Sequence, residues 1–275
     1  MAGFWRWSIL MLLCLPAFAA TEEIEFPSHG VTLSGSLVIP EQSPLRAAVV
    51  FVHGSGKQTR NLGLAQRFAD AGIAALVYDK RGAGKSGGEY EGGQSVSGPN
   101  ISLLADDAVA ALETLAKHPA LQRIPIGLTG ISQAGWIVPL AAARSQGNAR
   151  FLLLWSGPVC KVSEEDIYSI HTHDQDVRIA PSYQQALDSR KQKYIWPDFL
   201  GVDTDPATSL AKLSIPGLWI FSDNDASIPV DLSIERLRGL RPAGSRYDYV
   251  LFSGLGHNNI DGTFATALEW VARLR

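Results

Sequence analysis

Ser132 stands in the segment Gly130-Ile131-Ser132-Gln133-Ala134-Gly135, between an apolar run and a segment with helical spacing. A serine there can be a nucleophile if a sharp strand-to-helix turn lifts its hydroxyl above a sheet, and small neighbours let such a turn close. Gly130 is one small neighbour. Ala134 stands where this pattern more often has glycine, and it is still small. A serine hydroxyl needs a base to take its proton, and the base needs a carboxylate to hold its tautomer and stabilise the imidazolium. His257, in Gly254-Leu255-Gly256-His257, supplies the base, and Phe221-Ser222-Asp223-Asn224-Asp225 supplies two candidate acids. Each follows a predicted strand, and these residues alone leave Asp223 and Asp225 both open. His53-Gly54-Ser55-Gly56 also follows an apolar run and can form a tight turn. The backbone amide of Ser55, with Gly56 as the alternative, and the amide of Gln133 are the expected oxyanion donors. The chemistry these groups can do together is acyl transfer.

Other patterns carry less. Gly82-Ala83-Gly84-Lys85-Ser86-Gly87 reads G-x-G-x-x-G after a strand, but a nucleotide site needs a helix opening at once, and Gly88-Glu89-Tyr90-Glu91-Gly92-Gly93 follows instead. A phosphate-binding loop fails because Asp79 stands at its first glycine. Asp79 and Arg81 are expected to fix this loop by local pairing. His171-Thr172-His173-Asp174-Gln175-Asp176 has metal-ligand residue types without a cluster to complete a shell, so no metal and no cofactor is expected. His29 and His118 read as a turn and a helix end, and His53 as ordering the oxyanion turn. Trp136, Trp155, Trp219 and Trp270 read as packing.

The elements that must position these residues alternate. Strands are expected at 22–28, 31–39, Ala47–Val52, Ile73–Tyr78, Ile124–Thr129, Phe151–Trp155, Gly217–Phe221 and Tyr247–Phe252. Helical spacing runs from Leu62 to Ala69, over Ile101–Lys117 and Ala134–Ser145, near Asp231–Leu240 and onward from Thr263. Continuous apolar runs suit strands buried on both faces, so the alternation predicts a parallel sheet with helices on both sides. Residues 158–206 break the alternation with polar residues and scattered aromatics. They are expected to be a cap insertion over the sheet's C-terminal edge, where open α/β folds bind ligands.

With these residues in place, the chain resembles the α/β-hydrolase superfamily over nearly all its mature length. The matching segments are Val52-His53-Gly54, Asp79-Lys80-Arg81-Gly82-Ala83-Gly84-Lys85-Ser86, the Ser132 turn, Asp225 with Ile228-Pro229, and Gly256-His257. Small capped esterases and serine aminopeptidase-like members look closest. The resemblance implies an α/β-hydrolase fold, with a mostly parallel eight-stranded sheet, and a cofactor-free hydrolase whose triad is Ser132, Asp225 and His257. It places the acid three residues before the Ile-Pro pair, hence at Asp225.

Bulk properties agree. The 275 residues, 46% hydrophobic, suffice for one large domain and its core. Basic and acidic residues, 24 against 27, leave no surplus for nucleic acid or an anionic membrane. The segment 158–206 holds five basic and nine acidic residues, which disfavours large anionic substrates. A small-molecule ester is the expected substrate. A short peptide, cleaved by an aminopeptidase-like enzyme, and a non-catalytic binding protein are the alternatives. Residues 1–19 read as a signal peptide: Arg6, the apolar run Ile9–Leu15, and Ala17-Phe18-Ala19 before cleavage. A periplasmic or secreted protein without a stable membrane anchor is expected. Cleavage would remove Cys14, leaving Cys160 alone and no internal disulfide, whereas oligomeric state is not legible.

Overall fold

The computed structural model describes residues 20–41, 44–92, 95–175, 178–240 and 247–274. The expected signal peptide lies outside them. The strands are β1 (Ala20–Ser28), β2 (Val31–Ile39), β3 (Ala47–Val52), β4 (Ile73–Tyr78), β5 (Ile126–Ile131), β6 (Phe151–Trp155), β7 (Gly217–Ser222) and β8 (Tyr247–Phe252). The helices are α1 (Leu62–Asp70), α2 (Gly98–Lys117), α3 (Ala134–Arg144), α4 (Val162–Thr172), α5 (Tyr183–Asp188), α6 (Pro206–Leu210), α7 (Val230–Gly239) and α8 (Ile260–Ala272).

All eight strands join one sheet in the order β1-β2-β4-β3-β5-β6-β7-β8. The pairs β1–β2 and β2–β4 are antiparallel, and every later pair is parallel. Alternation along the strands divides the core. Ala48, Val50 and Val52 of β3 face α2, α3 and α7, whereas Ala47, Val49 and Phe51 face α1 and α8. All four tryptophans expected to pack are buried. Among the described residues no helix is long and apolar enough to cross a membrane.

Several boundaries differ from the periodicity, three of the elements by more than a residue at a site-forming end. β5 begins at Ile126 because Pro125 lacks an N–H for the ladder, and it runs on through Gly130 and Ile131, which pair with Val52 and Trp155. α2 opens at Gly98, where Ser97 accepts the Asn100 amide and Pro99 occupies the first turn; glycine, proline and asparagine mask that start in the sequence. α8 opens at Ile260, ahead of Thr263.

Between β6 and β7 the chain forms α4, α5, a short 3-10 turn at Asp198–Leu200, and α6. Helix α4 is fastened beside the turn after β7. Tyr168 donates to the carbonyl of Asp225 at 3.3 Å, and Thr172 donates to that of Ala226. Glu164 of α4 accepts from Arg236 of α7 at 2.6 Å.

Candidate active site

At the end of β5 the chain turns sharply into α3. Ser132 sits at the turn with φ 56°, a left-handed conformation unusual for a residue with a side chain. Such a conformation costs on the order of 1–3 kcal/mol and persists only where the surroundings enforce it. The enforcing contacts are visible. The Ser132 amide donates to Trp155 of β6 at 3.1 Å, and its carbonyl accepts from Gly135 at 2.7 Å. A Cβ on Gly130 would lie 2.4 Å from the Val52 carbonyl oxygen and 2.5 Å from the Ala134 methyl. Only glycine fits at 130, while the methyl of Ala134 itself is accommodated.

The turn after β3 packs against this serine: a Cβ on Gly54 would lie 3.4 Å from the Ser132 Cβ. Among the described residues the amides of Ser55, Gly56 and Gln133 donate to no partner. His53 is buried and donates through Nε2 to the Tyr78 carbonyl, tying β3 to β4. Burial lowers its pKa, which keeps it neutral.

Lys80, which sequence patterning did not single out, is buried behind the same turn. Its Nζ donates to the Gly54 carbonyl at 2.8 Å and to Gln133 Oε1 at 2.7 Å. The other end of the Gln133 amide donates to the Ser95 carbonyl at 2.7 Å. Burial pushes the Lys80 ammonium down to about 8. The available signal was a lysine two residues beyond the end of a fully buried strand.

His257 follows β8, and its Nδ1 lies 2.9 Å from both carboxylate oxygens of Asp225. Asp225 is fully buried, and its Oδ1 also accepts the amides of Ser227 at 3.0 Å and Ile228 at 3.3 Å. Donation by Nδ1 leaves Nε2 with its lone pair, the tautomer a general base requires. Asp223 does something else: its Oδ1 accepts the Gly254 amide at 3.0 Å, pinning the start of the histidine loop. A hydrogen bond from Ser253 and that amide lower its pKa.

The carbonyl of His257 accepts from the Ser156 hydroxyl at 2.8 Å, and Ser156 accepts from Asn259 Nδ2 at 3.2 Å. Ser132 and His257 are thus tied to consecutive residues, Trp155 and Ser156, at the end of one strand. No sequence periodicity marks Ser156 or Asn259 for this task.

The loop after β4 departs from the expectation of purely local pairing. Asp79 does accept the Lys85 amide at 2.8 Å, but it also binds Arg60 of the β3–α1 connection at 2.8 Å. Burial would raise the Asp79 pKa, but hydrogen bonds from the Arg60 side chain and from the Lys85 and Arg60 amides outweigh it and bring the carboxyl to about 2. Arg81 reaches Asp107 on α2, with Nε 3.0 Å from Oδ2. Side chains too far apart in sequence to read as a pair therefore hold this loop. Among the described residues no group of three or more His, Cys, Asp or Glu is placed to hold a metal. His171 Nδ1 is hydrogen-bonded to the Ser189 hydroxyl at 2.8 Å, while Asp176 lies outside the described residues.

A sequence model of the family described as serine aminopeptidase, S33 matches residues 43–195, more than half of the chain. The chain belongs to this family. The matched span runs through the Ser55 turn, Lys80 and Ser132. Within the S33 family frame, the chain is 34% identical over 131 residues to a monoacylglycerol lipase of Mycolicibacterium smegmatis, covering 47% of this chain and 43% of the relative. It is 26% identical over 241 residues to the esterase EstD of Thermotoga maritima, covering 78% of this chain and 55% of the relative. The chain thus spans about half the length of the curated relatives it matches. Acetyl xylan esterase 1 from a Thermoanaerobacterium species superimposes with a TM-score of 0.67 at 14% identity, covering 94% of this chain and 86% of that one. At that identity the likeness concerns the fold, which is the α/β-hydrolase fold.

Proposed function

We propose that this S33-family chain is a serine hydrolase that cleaves a carboxylic ester through an acyl-enzyme. The observation that carries the reading is that a left-handed Ser132 and a His257–Asp225 couple are tied, respectively, to the adjacent residues Trp155 and Ser156. In the first step His257 Nε2 takes the Ser132 proton as Oγ attacks the acyl carbon. The amides of Ser55 and Gln133 receive the oxyanion. The tetrahedral intermediate collapses, the alcohol leaves with the proton from His257, and an acyl-serine remains. Water then attacks that ester, giving its proton to His257, and the acid and free Ser132 are released. Residues 158–206, whose helix α4 is bonded to the Asp225 turn, serve as a cap over the acyl pocket. Residues 1–19 direct export to a periplasm or medium and are removed. The N-terminal sequence of the exported protein tests that.

A second reading, removal of N-terminal residues from short peptides, is favoured by Glu165 of α4. This carboxyl makes no ion pair among the described residues. Burial, with repulsion from Asp174, Asp166 and Asp225, holds its pKa up to about 8. A substrate amine would relieve that cost. Labelling with a fluorophosphonate, followed by peptide mapping, tests the nucleophile: modification at Ser132, absent in Ser132→Ala, is expected. Turnover of short acyl esters over aminoacyl amides supports the first reading, and the reverse preference replaces it with the second. A folded protein that is unlabelled and inert on both overturns the enzymatic reading and leaves a binding protein.

A further inference from the structure

Lys80 is a buried cation with no carboxylate at ion-pair distance among the described residues. Its flanking charges are engaged elsewhere, Asp79 by Arg60 and Arg81 by Asp107. An unpaired buried charge is costly, and such a group is retained where something else depends on it. Its two partners are informative. The Gly54 carbonyl belongs to the peptide whose N–H is that of Ser55, and Gln133 carries the other amide proposed as an oxyanion donor. A trans peptide points its C=O and N–H in opposite directions. Holding the Gly54 carbonyl on Lys80 therefore points the Ser55 N–H away from the ammonium. The Gln133 side chain is held between Lys80 and the Ser95 carbonyl, which fixes the residue whose N–H opens α3.

We infer that Lys80 is a positioning residue for acyl transfer: its ammonium clamps both backbone segments of the oxyanion hole and sets a fixed positive charge behind them. The inference rests on the acyl-transfer reading above. The charge acts where negative charge develops in the transition state, where preorganised electrostatics count most. The groups facing the ammonium leave its proton as the variable one. His53 is neutral through burial, Gln133 and Gly54 do not titrate, and the Tyr90 ring centre is 6.0 Å away. Because burial lowers the Lys80 pKa to about 8, the charge is present at neutral pH and lost in mildly alkaline solution.

The test is kcat and KM between pH 6 and 10 on p-nitrophenyl butyrate for the full chain, Lys80→Met and Lys80→Arg, with folding checked by circular dichroism. Wild-type kcat should fall above about pH 8. Lys80→Met should lose about 100-fold in kcat, as expected for a misdirected oxyanion donor, with KM within about threefold and no alkaline fall. Lys80→Arg, whose charge persists to higher pH, should recover at least about tenfold of that loss and shift the fall upward. A folded Lys80→Met with wild-type kcat, or a wild-type profile flat from pH 7 to 10, overturns the inference while Ser132 labelling keeps the acyl-transfer reading. If Lys80→Met does not fold, the wild-type and Lys80→Arg profiles decide alone. A wild-type protein with neither labelling nor turnover overturns both.

Discussion

His257 Nδ1 lies 2.9 Å from each carboxylate oxygen of Asp225, and the same carboxylate is capped by the amides of Ser227 and Ile228. Two backbone amides thereby orient the acid, and both of its oxygens face the imidazole. The Ile228 amide explains the three-residue spacing to the Ile228-Pro229 pair: the turn it begins closes onto Asp225 Oδ1. Replacing the carboxylate with an amide should select the wrong histidine tautomer. Asp225→Asn is expected to lower kcat by about 10⁴-fold with the fold kept. Asp223→Asn, which removes the charge but keeps an acceptor for the Gly254 amide, should stay within about tenfold of wild type. Steady-state ester hydrolysis of the two variants side by side checks this, and equal losses would return Asp223 to candidacy.

The Ser156 hydroxyl joins the histidine loop to β6 by donating to the His257 carbonyl and accepting from Asn259. Ser156→Ala strands a buried donor and a carbonyl together, which costs about 1–3 kcal/mol. Chemical denaturation should show that loss. Turnover should fall by more than the unfolded fraction explains, because the imidazole is no longer fixed. A drop in stability alone, with kcat per folded molecule unchanged, would make Ser156 purely structural.

Gly130 tests how the serine turn is enforced. Gly130→Ala places a methyl 2.4 Å from the Val52 carbonyl oxygen and 2.5 Å from the Ala134 methyl. Overpacking of this kind costs about 1–3 kcal/mol or more. Adding Ala134→Gly should recover only part of it, since the clash with the β3 backbone persists. A double-mutant cycle on unfolding free energies gives the coupling directly, and full recovery would show that β3 can yield.

Burial of Lys80 also predicts how stability changes with pH. The folded state releases its proton near pH 8, whereas the unfolded chain holds it to 10.5. Between these values the unfolded state binds more protons, so stability rises with pH. The rise is at most about 3 kcal/mol, from 1.36 kcal/mol per pKa unit. Unfolding free energies of wild type and Lys80→Met from pH 7.5 to 10.5 should diverge in that sense. Parallel curves would place the ammonium in contact with water.

Much of the scaffold was readable before any tertiary contact was known. Hydrophobic periodicity is local: a run such as Ala47–Val52 is apolar at every position because both sheet faces are covered, and the helices show their buried stripe in the same way. Small residues at Gly130 and Gly54 likewise record close approach at a turn. The sequence by itself therefore determined the alternating α/β frame, the Ser132 turn and the histidine after the last strand. What it left open depends on crossovers between distant segments. Asp223 and Asp225 are two residues apart, and only the direction of the turn after β7 sends one to His257 and the other to Gly254. Lys80 reads as one charge within Asp79-Lys80-Arg81. The order β2-β4-β3-β5 is what carries the end of β4 beside the turn after β3 and within reach of the serine turn after β5. That adjacency follows from the sheet order, which no local pattern along the chain encodes, and it decides which polar side chains meet inside the site.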